Sequence, residues 1–167
     1  MKKLTLISMI LGIALLSACK PNYDELILGQ WDVYTLHDVF NNLTDSIHHE
    51  KTYYPQTDSL YLGYDAAEFK SDGTVQLHMS AFYVAQNRTE NPYRSYQWRI
   101  IGDTLYLSQD NNNSIVYPYA IQELNDETLV IEHYNKTSTG FLYDNNDDST
   151  QVIYETIRTY TLQHAQN

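Results

Sequence analysis

The chain has 167 residues, and its 10 Lys and Arg against 21 Asp and Glu give a formal charge of −11. No basic stripe is present to neutralise phosphates, which excludes nucleic acid as a partner, and a lone Cys excludes an intramolecular disulfide. Sixteen Tyr against 4 Phe and 2 Trp, with Thr frequent beside them, favour strands over helices.

Residues Met1–Ala18 read as an export signal, with a basic start at Lys2-Lys3 and an apolar run from Leu4 to Leu16. That run is 13 residues long, short of the roughly 20 that span a hydrocarbon core as a helix. Without the signal, 149 residues remain from Cys19 to Asn167, carrying 8 basic and 21 acidic side chains and a formal charge of −13. One domain of that length buries about 68–70% of its unfolded surface and needs no staples. Leu16-Ser17-Ala18-Cys19 resembles the lipobox of bacterial lipoproteins. The resemblance implies that the Cys19 thiol takes a diacylglycerol and that the amine freed by cleavage is acylated. Two or more acyl chains hold a protein firmly to a membrane. Lys20 stands where some inner-membrane lipoproteins carry Asp, which implies a lipid-anchored place at the outer membrane of a cell envelope. Asp24 and Glu25 resemble surface-export signals at a looser offset, and leave the face of that membrane open.

Residues 19–27 form a lipidated tether, with a helical turn begun at Asn22, and 28–167 form one domain. There the period becomes two: Trp31, Val33 and Thr35 on one strand face, Gln30, Asp32 and Tyr34 on the other. Asn41–Ser59 is polar, contains Pro55 and has no period, so it reads as a long loop with room for a short strand or helix. Ala67 and Phe69 then alternate up to the turn Ser71-Asp72-Gly73, followed by Val75, Leu77, Met79 and Ala81 on one face. Tyr96, Trp98 and Ile100 lead through Gly102-Asp103 to Leu105 and Leu107. A strand from Ile115 to Leu124, with a bulge expected at Pro118, turns at Asn125-Asp126-Glu127 into Leu129, Ile131 and His133. The loop Thr137–Thr150 precedes a last strand, Gln151–Leu162. These are eight strands joined by short turns with no sustained helical stripe, which predicts an all-β, eight-stranded antiparallel up-and-down barrel.

The run Leu28-Gly29-Gln30-Trp31 resembles the Gly-x-Trp signature of lipocalins. Asp72-Gly73-Thr74, then Trp98-Arg99-Ile100-Ile101-Gly102-Asp103-Thr104-Leu105, then Glu123-Leu124 and Leu129-Val130-Ile131 resemble, in that order, the lipocalin-like lipoproteins of Gram-negative bacteria. The similarity covers about Leu28–Leu162, and the Thr-Asp-Tyr loop signature of lipocalins is missing. The resemblance implies a calycin barrel with Trp31 at its closed end and Arg158, late in the last strand, packed over that ring. A cation–π contact of this kind is worth about 0.5–2 kcal/mol.

Chemistry-bearing constellations are few. Adjacent His48 and His49 point to opposite faces of an extended chain, and spacing names no further ligand. Asp144, Asn146, Asp148 and Glu155 occupy four positions of the EF-hand calcium pattern, but Ser149 replaces its Gly and a strand follows instead of a helix. They form a weak calcium candidate, and no metal or cofactor is expected. No nucleophile elbow, phosphate loop or zinc helix occurs, so the expected function is non-enzymatic, with a hydrolase ranked last. Inward positions Leu77, Met79, Tyr96, Trp98, Tyr119 and Ile131 are the candidate ligand-binding set for a small amphipathic or hydrophobic molecule, if the barrel holds a cavity. The alternative is a scaffold whose long loops Asn41–Ser59 and Thr137–Thr150 bind an envelope protein or glycan.

Overall fold

The alternation of apolar and polar residues becomes a nearly all-β structure in the computed structural model, which describes residues 22–58, 63–79, 93–109, 115–143 and 149–165. Its elements are α1 (Tyr23–Leu26), β1 (Gly29–Asn42), β2 (Ile47–Tyr53), β3 (Ala66–Phe69), β4 (Thr74–His78), β5 (Tyr93–Ile101), β6 (Thr104–Ser108), β7 (Val116–Leu124), β8 (Thr128–Tyr143) and β9 (Ser149–His164). From β3 to β9 each strand pairs antiparallel with the next, and β1 pairs with both β3 and β9. The result is the closed eight-stranded up-and-down barrel that the alternation implies, consistent with a lipocalin-like fold. Closure removes the unpaired edges that an open sheet would expose.

The short strand for which the polar stretch left room is present within residues 41–58, and it makes a hairpin of what composition reads as a long loop. β1 runs on to Asn42, turns, and returns as β2, in register from Leu36↔Tyr53 to Asn42↔Ile47. The buried Asn42 side chain shapes the turn: its Nδ2 donates to Asp45 Oδ2 (2.7 Å), and its Oδ1 accepts the N–H groups of Thr44 (3.0 Å) and Asp45 (3.2 Å). The turn is clipped to β9, because Leu43 N–H donates to the Ile153 carbonyl (2.9 Å) and Ile153 N–H to Thr44 Oγ1 (3.0 Å). β2 and β3 therefore occupy successive stretches of the same edge of β1. Beyond Asp32 and Ala120, where β3 and β7 stop pairing, the sheet continues as β2–β1–β9–β8 alone.

Two irregularities set which side chains face inward. The β1–β9 register shifts between Val33 and Thr35, leaving Tyr34 as an extra, half-exposed residue. This bulge changes the phase of the strand. Trp31 and Val33 are buried, but it is Leu36, not Thr35, that continues their inner row. On β7 the shift in the ladder to β8 lies between Ile121 and Glu123, not at Pro118, which sits in register opposite Tyr106. Pro118 lies two residues past Ala120, the last pairing with β8, so its missing N–H interrupts no bond there.

The closed end is built around Trp31. Its indole is fully buried, its Nε1 donates to the Ile27 carbonyl at 2.8 Å, and His164 meets it edge-on at 4.8 Å between ring centres. Gly29 holds φ +114°, and a Cβ there would lie 2.8 Å from His164 Nε2. The Gly-x-Trp pair is thus one device, since the missing Cβ leaves room for the ring that covers the Trp. Arg158 does not cover it. In the β1–β9 register Arg158 faces Asp38 and Trp31 faces His164, and Arg158 Nε donates to Asp38 Oδ1 at 3.2 Å. Six residues of strand, about 20 Å, separate Arg158 from the position the family pattern implies.

Candidate functional site

Leu77, Tyr119 and Ile131 line the interior, together with Val33, Tyr64 and Tyr160, and the pocket they form among the described residues is only about 30 Å³. That is one water's share of liquid, whereas ligand pockets run to about 300–1,000 Å³. Aromatic side chains fill the space. Tyr64 and Tyr96 hydroxyls lie 3.3 Å apart, Tyr96 meets Tyr117 edge-on at 6.2 Å, and Tyr119 packs between Tyr160 (6.4 Å) and His133 (5.0 Å). Burial pushes the Tyr64 and Tyr119 phenols well above the ordinary tyrosine range and also raises Tyr160. For Tyr64 the hydrogen bond shared with Tyr96 adds to this, and for Tyr160 the positive charge of Arg158 partly offsets it. Burial alone would lower the Arg158 guanidinium, but Asp38 beside it outweighs this and raises it. A ring of neutral phenols and one ion pair caps an apolar core.

The remaining candidates lie elsewhere. Tyr96 packs on the core without lining the cavity. Trp98 belongs to the closed end instead of the mouth, because its Nε1 donates to the Lys70 carbonyl (3.1 Å) and Phe69 meets it edge-on at 5.9 Å. Met79 is half-buried just past β4 and outside the core cluster. Cys19, Asp144, Asn146 and Asp148 lie outside the described residues. Glu155 has both oxygens engaged, by Tyr134 Oη (2.8 Å) and Asn41 Nδ2 (3.1 Å), which hold its carboxyl below the usual range. His48 bonds Asn41 Oδ1 through Nδ1 (2.7 Å), while His49 stacks on Phe40 from the other face. Among the described residues no group of three or more His, Cys, Asp or Glu converges as a metal site.

Sequence reasoning missed the concave surface on the outside of the barrel. Two depressions, of about 610 and 370 Å³, meet at Asp32 and Gln56. Gln56 arrives on the turn after β2, where the Thr57 and Asp58 N–H groups donate to the Tyr54 carbonyl (3.0 and 2.8 Å). The larger depression reaches Tyr34, Asp126 and Gln163, and the smaller one Gln30, Gln76 and Tyr93. In the smaller one His78 Nδ1 lies 2.7 Å from Asp65 Oδ1, and the Tyr93 ring leans on His78 at 4.7 Å. Each residue taken alone is an ordinary outward position. The only available signal was the recurrence of Gln at such positions on strands that prove close in space. The class of protein that fold and site define is therefore a closed antiparallel β-barrel with a filled interior and a polar outer groove. Comparison with protein-family models, curated proteins and solved structures gives no match.

Proposed function

We propose that the chain is a lipid-anchored, lipocalin-like envelope lipoprotein that acts without catalysis as an interaction scaffold, recognising an envelope protein or glycan with its outer surface. The observation that carries this is the contrast in volume: about 30 Å³ inside the barrel, against about 610 and 370 Å³ on its outer face. A small amphipathic ligand held inside would require the Tyr64, Tyr119 and Tyr160 side chains to move. The lipobox at Cys19 supports the anchor, and the acidic surface favours neutral or basic partners over anionic ones.

Mass spectrometry of protein purified from membranes in mild detergent tests both parts. The expected chain begins at Cys19 with added acyl mass, and unfolding releases no small molecule in stoichiometric amount. A lipid freed only on unfolding overturns the scaffold reading. An unmodified N-terminus at Lys20 or later overturns the anchor.

A further inference from the structure

The outer groove around Asp32 combines two aromatic faces with a polar floor. The bulge on β1 turns the ring of Tyr34 outward, leaving it 51% exposed, and bulges beside binding sites commonly re-aim a side chain in this way. In the other depression Tyr93, paired with His78 in register, is 49% exposed. Asp32 and Gln56 lie where the two depressions meet, and Gln30 and Gln76 line the one that holds Tyr93, so the groove offers amide donors, amide acceptors and a carboxylate. Among the described residues no Lys or Arg lines either depression, while Glu68, Asp126 and Glu127 do. Such a surface repels phosphates and uronic acids.

Resting on the surface-recognition reading above, we infer that this groove binds an uncharged oligosaccharide. Sugar hydroxyls donate to the Asp32 carboxylate and to Gln carbonyls and accept from Gln amides, while sugar rings lie on the faces of Tyr34 and Tyr93. Each depression falls within the volume range of small-ligand sites. A basic peptide would answer the carboxylates but would leave the amides and the paired aromatic faces without matching partners.

Titration calorimetry of the full-length protein in detergent tests this, with cellohexaose, maltohexaose and the N-acetylated chitin hexamer as probes and oligogalacturonate as the anionic control. At least one uncharged hexamer is expected to bind saturably, and oligogalacturonate is not. Tyr34→Ala and Tyr93→Ala should each weaken binding about tenfold, as loss of an aromatic anchor does, while Tyr34→Phe keeps most of it. Unchanged near-ultraviolet circular dichroism establishes that the variants fold. No binding by any uncharged hexamer, binding that ignores both alanine variants, tighter binding of oligogalacturonate, or capture of a basic peptide through the same residues overturns the inference. These failures leave the scaffold reading standing, because that reading fails only on a lipid held inside the barrel.

Discussion

Replacing Gly29 by Ala tests how the closed end is built. At φ +114° a residue with a Cβ is strained by about 1–3 kcal/mol. The new methyl group would also lie 2.8 Å from His164 Nε2, so the imidazole must leave its edge-on place against Trp31. Loss of an aromatic pair adds about 0.5–1.5 kcal/mol, which brings the expected destabilisation to roughly 2–4 kcal/mol. Urea unfolding followed by Trp fluorescence measures it, since Trp31 is fully buried and reports directly on this end. The same substitution made in a His164→Ala background should cost less, because only the backbone strain remains. A shift below about 0.5 kcal/mol, the scale of ordinary surface changes, would refute the reasoning. So would an equal cost in both backgrounds, which would remove the steric part of the argument.

Asn42→Ala removes three hydrogen bonds from the β1–β2 turn and should loosen it by about 1–3 kcal/mol. Hydrogen exchange should then speed up in β2 and leave β4–β6 protected, while uniform loss of protection would contradict a local role. Alkaline pH should unfold the barrel. Unfolded tyrosines ionise near 10, whereas burial raises Tyr119 and Tyr160 in the folded state, so their contribution is complete below about pH 10 and is lost as pH climbs toward the raised values. The expected loss is about 1.4 kcal/mol per pH unit for Tyr119, with a further loss in the same direction from Tyr160. Denaturant midpoints at pH 9, 10 and 11 check this; a midpoint that stays level from pH 10 to pH 11 would contradict it.

The barrel was legible because its inner rows alternate. Val75 and Leu77, Leu105 and Leu107, and Leu129 and Ile131 are buried, with Gln76, Tyr106 and Val130 between them less so. β2 was not legible, since its residues face solvent on both sides until Tyr53, and a strand exposed on both faces carries no period. The bulge at Tyr34 and the pairing of Arg158 with Asp38 are matters of register, which is fixed by partner strands far away in sequence. For the same reason alternation placed Tyr119 and Ile131 inside but could not say that Tyr64 and Tyr160 would fill the space beside them. The outer groove draws on β1, β3, β4, β5, β8, β9 and two turns, and no local pattern announces such a convergence.

The joining of α1 to Trp31 through Ile27 also fixes an orientation. Asn22, where the described chain begins, is three residues from Cys19, a reach of at most about 10 Å. With the proposed lipid on Cys19, the closed end would stand near the headgroups and the strands would lead away from them. The β7–β8 turn that carries Asp126 and Glu127 then lies low, so a glycan in the groove beside it would run alongside the bilayer. The tip of the β2–β1–β9–β8 extension, carried on the seven β1 residues Leu36–Asn42, would reach about 20 Å farther along that strand. The molecule would thus present two addresses at two heights, one skimming the membrane and one held clear of it.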